Sequence, residues 1–164
     1  MVRLRREIEG LRWDESKSPP RFLNSPKLRA LVERRARAAL ARFPFSTADQ
    51  IMVAGASDEV YRFLLDSGAH VTLVEEEAER FDAVRELVSS HPNWRNATLH
   101  TKLYGDISFE TSSFDFAAVF ELPNRYRSPS NVLRKLAREL KVGGKAFVKL
   151  TLSVNASTES IEAG

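Results

Sequence analysis

The sequence predicts an α/β domain built on a doubly wound, mainly parallel sheet. Three observations carry that expectation. Short, uninterrupted apolar runs such as Ile51-Met52-Val53-Ala54 read as strands buried on both faces. These runs alternate with segments of helical period, the pattern of parallel strands joined by crossover helices. The composition, 43% hydrophobic and 29% charged over 164 residues, is that of a globular protein with enough chain for one domain.

The chain divides into a basic N-terminal extension (1–49), an α/β core (50–150) and a polar tail (151–164). Residues 1–26 are irregular, with a loop at Ser16-Lys17-Ser18-Pro19-Pro20. Ser25 then reads as an N-cap and Pro26 as the first helical position. Leu28, Leu31, Val32, Ala36, Ala39 and Leu40 follow at helical spacing, predicting an amphipathic helix over 26–42. In the core, strand 51–54 leads through the small-residue turn Gly55-Ala56-Ser57 into a helix over 58–67. Gly68 suits the left-handed residue that ends a helix. Strand 71–74, helix 78–90, strand 97–103, strand 114–120 and helix 129–140 come next. A turn at 141–145 leads to a fifth strand over 146–150.

Several function classes fall away at once. Without cysteine there are no disulfides, thiolate zinc sites, iron–sulfur clusters or cysteine nucleophile. His70, His91 and His100 do not fall with acids at metal-ligand spacing, so no metal is expected. No Gly-x-Ser-x-Gly or P-loop occurs, which removes the serine-hydrolase and NTPase readings. No signal peptide or membrane span is expected, and the expected location is cytoplasmic. Trp13 and Trp94 read as packing anchors. Residues 1–50 hold 12 Lys/Arg against 6 Asp/Glu, whereas residues 51–164 hold 13 against 16. The basic third is either a solvated helix face or a surface for an anionic partner such as RNA, through Arg34, Arg35 and Arg37.

The turn after the first strand is where an open α/β sheet binds ligands. Gly55 allows close backbone approach. Glu75, twenty residues on, ends the second strand and can accept hydrogen bonds from both hydroxyls of a ribose. Asp58 and Glu59 fill the first helical turn, where a dinucleotide would need its pyrophosphate. They point to a nucleoside cofactor carrying positive charge. The same residues also read as simple capping, with Ser57 or Asp58 as N-cap and Glu59 complementing the helix dipole.

Residues 51–150 resemble the core of the class I S-adenosylmethionine-dependent methyltransferases, near the type 11-like group. Ile51-Met52-Val53-Ala54-Gly55-Ala56-Ser57-Asp58-Glu59 lies where that family has its glycine-rich motif, and Val71-Thr72-Leu73-Val74-Glu75 is similar to its second strand and ribose-binding acid. Gly105-Asp106-Ile107 resembles the segment that contacts adenine, and Ser113–Val119 the fourth strand. Leu133…Leu136…Leu140-Lys141-Val142-Gly143-Gly144-Lys145-Ala146 is similar to the family's helix, Gly-Gly turn and fifth strand. The resemblance implies a Rossmann-like sheet of about five strands in the order 3-2-1-4-5. It implies S-adenosylmethionine as cofactor, held by Gly55, Ala56, Ser57, Glu75, Asp106 and Ile107. A small molecule is the implied methyl acceptor, and Glu121, just past the fourth strand, is the candidate base or substrate-orienting residue beside a plain loop-acid reading.

The sequence departs from the family in ways that keep alternatives open. Ser57 and Glu59 replace the second and third glycines, and Val53 stands where an acid is frequent. Glu121-Leu122-Pro123-Asn124 is not the signature of methyltransferases that act on DNA bases or protein glutamine. Only 14 residues follow the fifth strand, so its bare edge predicts either a homodimer or cover from an N-terminal segment. Beside the small-molecule methyltransferase stand a catalytically inactive relative used for partner binding and an RNA methyltransferase with a basic helix.

Overall fold

The computed structural model describes residues 26–120 and 129–149. Five parallel strands form one sheet in the order β3-β2-β1-β4-β5. They are β1 (Gln50–Ala54), β2 (His70–Val74), β3 (Ala97–His100), β4 (Phe114–Val119) and β5 (Leu140–Val148). The helices are α1 (Pro26–Leu40), α2 (Asp58–Asp66), α3 (Phe81–Ser90) and α4 (Pro129–Glu139). The fold class and strand order expected from the sequence are those observed. Among the described residues no helix is long and apolar enough to cross a membrane, and no group of three or more His, Asp or Glu is placed to hold a metal ion.

The central strands are apolar on both faces because both are covered. One face packs Ile51, Val53, Leu73 and Phe116 against Ala36 and Leu40 of α1, Leu64 of α2 and Val84 of α3. On the other, Met52, Ala54 and Val74 meet Val132 and Leu136 of α4 and the loop residues Tyr104 and Ile107. Phe43 and Phe45, beyond α1, seal the first layer with ring centroids 4.7 and 5.0 Å from Phe116. At the amino ends of the strands Asp115 accepts the Gln50 N–H at 2.9 Å and the Lys141 ammonium at 2.8 Å, tying β1, β4 and β5 together.

Five details depart from the expectations. Trp94, expected as a packing anchor, is half-exposed in the connection from α3 to β3, while Trp13 lies outside the described residues. The helix expected over 78–90 is a 3-10 turn, Ala78–Arg80, running into α3. Strand β3 stops at His100, because the chain leaves the sheet to bury Tyr104 on another 3-10 turn, Tyr104–Asp106. The residues expected as a turn at 141–145 lie within β5 as a bulge: Phe114 pairs Leu140, but Phe116 pairs Lys145. Gly143 takes φ +81° there and Val142 points wholly into solvent. Ser57 occupies the N-cap position of α2 but makes no side-chain capping bond.

Candidate functional site

The chain runs β1-β2-β3 to one side and then jumps across β1 to place β4, so the strand order reverses at β1. That switch point, outside the carboxyl ends of the strands, is where an open α/β sheet binds ligands. Three segments wall it: the turn after β1, the acids after β2, and the 3-10 turn after β3.

Gly55 turns the chain out of β1 at φ +64°, with its N–H bonded to Val74 O at 3.0 Å. A Cβ added there would lie 3.1 Å from Glu76 Oε2, so the Glu76 carboxylate rests directly on the glycine. Glu76 also accepts the Tyr104 N–H at 2.9 Å, which joins the second wall to the third. Asp106 is exposed on that third wall, whereas Ile107 belongs to the apolar layer beneath it.

Glu75 is completely buried. Its Oε1 accepts the backbone N–H groups of Glu76 and Glu77, both at 2.9 Å. Its Oε2 lies 3.3 Å from the Tyr61 hydroxyl and 3.2 Å from Arg80 Nη1. Tyr61, on the inner face of α2, also accepts the Ala56 N–H at 3.3 Å and approaches Val74 O at 3.2 Å. Burial, reinforced by the charge of Glu75, pushes the Tyr61 hydroxyl well above the usual tyrosine range, so it stays protonated as a donor.

Arg80 bridges the first two walls. Its Nη1 donates to Ala56 O at 2.9 Å and its Nη2 pairs with Asp58 at 2.6 Å, while the guanidinium lies 5.9 Å from the Tyr61 ring centre. Burial works against its charge, but Asp58 and Glu75 outweigh burial and raise its pKa further. The other acid of the first helical turn, Glu59, is turned outward to Arg37 of α1 at 2.9 Å. Both acids of that turn therefore already have cationic partners.

Of the residues expected in the site, the fold brings Gly55, Ala56, Ser57 and Glu75 together, with Asp106 and Ile107 on the adjoining turn. The Ser57 hydroxyl is buried and finds no hydrogen-bond partner among the described residues. Glu121 lies outside the described residues. Sequence reasoning missed Tyr61, Glu76, Arg80 and Tyr104. A tyrosine between Val60 and Leu64 on an apolar helix face was a readable signal, because a buried tyrosine needs a polar partner.

Similarity to known proteins bears on this geometry. A family profile for a methyltransferase domain matches residues 52–148, more than half of the chain. No curated protein matches the sequence. Among solved structures, the chain resembles the cyclase SpnF with a TM-score of 0.62 and 14% identity, covering 71% of this chain and 44% of that one. It resembles Haemonchus contortus phosphoethanolamine N-methyltransferase 2, solved with S-adenosyl-L-methionine, with a TM-score of 0.61 and 20% identity over 70% of this chain and 27% of that one. The glycopeptide N-methyltransferase MtfA gives 0.60 and 20%, covering 83% and 66%. The chain thus spans less than half the length of the first two. At these identities the likeness is one of fold, and it agrees with the family profile over the same strands and crossovers: the chain belongs to the methyltransferase-domain family.

Proposed function

We propose that the chain is a methyltransferase core that binds S-adenosylmethionine and transfers its methyl group to a small molecule. The observation that supports this best is the convergence of the Gly55 turn, the acids after β2 and the Tyr104–Asp106 turn at the switch point. A nucleoside needs backbone it can approach, a carboxylate for its ribose diol and a wall for its base. Gly55, Glu75 and the Asp106–Ile107 segment have those chemistries, with Ala56 and Ser57 completing the turn. S-Adenosylmethionine supplies a methyl group on a sulfonium, already a good leaving group. The protein's task is then to align the acceptor and exclude water. Glu121 lies two positions past the end of β4 in the sequence and is the residue we assign to orient or deprotonate the acceptor.

Two other features of the chain fit this reading less closely. RNA binding through Arg34, Arg35 and Arg37 is weakened by the commitment of Arg37 to Glu59 and to the Phe63 ring, 5.7 Å away. A homodimer through the edge of β5 stays compatible with the sheet, in which β5 has β4 as its neighbour among the described residues. The inactive relative has one specific observation in its favour, the Arg80 guanidinium lodged against Glu75.

Calorimetric titration with S-adenosylhomocysteine tests the proposal. Saturable binding is expected, weakened roughly tenfold or more in Glu75→Gln, because the neutral amide loses a charged acceptor. Absence of heat at about 1 mM ligand would favour the inactive relative.

A further inference from the structure

Glu75 is already engaged on both oxygens in the described conformation. The N–H groups of Glu76 and Glu77 fill Oε1, while Oε2 faces the Tyr61 hydroxyl, whose single hydrogen it shares with Val74 O, and forms an ion pair with Arg80 at 3.2 Å. A ribose diol reaching Oε2 must compete with the groups that stand against it. The two N–H groups are fixed by the chain itself, and Tyr61 is locked in the core with 0% exposure. Arg80 differs: its side chain is 28% exposed and it ends a three-residue 3-10 turn. Its guanidinium also holds Ala56 O, so it bridges the turn after β1 to the end of β2. Those are the two walls between which a nucleoside would lie.

On the cofactor reading above, we propose that Arg80 is a built-in competitor for the cofactor seat. Its guanidinium keeps that seat shut, and it swings outward when a ligand brings a vicinal diol to take its place on Glu75. Asp58 makes the exchange feasible. Its side chain is 53% exposed, so it can keep its pairing with Arg80 as both move toward solvent. The buried carboxylate exchanges one set of donors for another and is not left bare, which burial would penalise heavily. The device lowers apparent affinity by the fraction of molecules that are open, and it selects for ligands with ribose-like hydroxyls.

The test is calorimetric titration of the intact chain with S-adenosylhomocysteine, comparing wild type, Arg80→Met and Asp58→Asn. Methionine keeps the apolar stem and removes the guanidinium. If about one molecule in ten is open, removing the competitor tightens binding on the order of tenfold. Arg80→Met is expected to show that gain and Asp58→Asn is not, because Asp58 pairs with the arginine in both positions and so does not favour the closed one; a gain in Asp58→Asn alone would overturn the competitor. Tighter binding is not an effect that partial unfolding produces, so a weakened fold cannot imitate the result. Equal or weaker binding by Arg80→Met overturns the competitor and leaves the cofactor reading standing. No binding by any of the three proteins at about 1 mM ligand overturns the cofactor reading, and the competitor with it.

Discussion

Replacing Tyr104 by phenylalanine removes one oxygen from the fold and tests how its buried polar network works. The hydroxyl donates to Glu139 Oε2 at 2.5 Å, and both residues are completely buried. Glu139 keeps two other partners, the Lys135 ammonium and a long contact of 3.4 Å from the Phe109 N–H. Lys135 sits 4.0 Å from the centre of the Tyr104 ring, a contact that phenylalanine preserves. The substitution therefore isolates the hydroxyl. A hydrogen bond to a charged acceptor contributes roughly 1.5–3 kcal/mol, and the acceptor left behind has no water to replace it. A loss of about 2 kcal/mol follows, or roughly 4–8 °C in Tm for a chain of this size. Urea unfolding followed by circular dichroism is the assay, with the midpoint falling at constant m. A double-mutant cycle with Glu139→Gln is expected to give about 1 kcal/mol of coupling or more. A Tyr104→Phe protein within about 0.5 kcal/mol of wild type, or an additive cycle, would refute the reasoning.

Two further substitutions probe the sheet, beside those given for Glu75 and Arg80. At Gly144 a Cβ would stand 2.9 Å from Lys141 O and 3.2 Å from Phe114 O, both rigid backbone atoms. Gly144→Ala is expected to cost roughly 1–3 kcal/mol and to loosen β5 from β4, seen as faster amide exchange along β5; unchanged exchange would contradict it. The Lys141 ammonium, and then the Gln50 N–H, hold the Asp115 carboxyl below its ordinary value of 3.8. A lowered carboxyl contributes stability that is complete above the ordinary value and is lost as pH falls through the lowered one. Asp115→Asn is therefore expected to flatten the acid limb of the stability–pH curve, and two superimposable limbs would count against that ion pair.

The sheet was legible because its signals are local. A run such as Ile51–Ala54 with a glycine behind it fixes a buried strand and the turn that leaves it. Pro92 and Asn93 mark the end of α3 as plainly. The bulge in β5 was not legible, because Gly143-Gly144 satisfies a turn and a bulge equally well. The partner of Arg80 was hidden for a different reason. A charge in a sequence carries no direction, and Arg80, which ends a 3-10 turn where uniform helix was expected, meets Glu75 through the tertiary fold. The same holds for Glu76, one of three consecutive glutamates, which only the register of β2 against β1 lays over Gly55.

The strand order also shapes how the chain must assemble. Strand β1 sits in the middle of the sheet, yet the link between the Gln50 N–H and Asp115 on its β4 side spans 65 residues. During synthesis β1, β2 and β3 emerge first and leave one apolar flank of the half-built sheet bare until β4 arrives. Closing so distant a contact is slow, and in that interval the nascent protein is most exposed to aggregation.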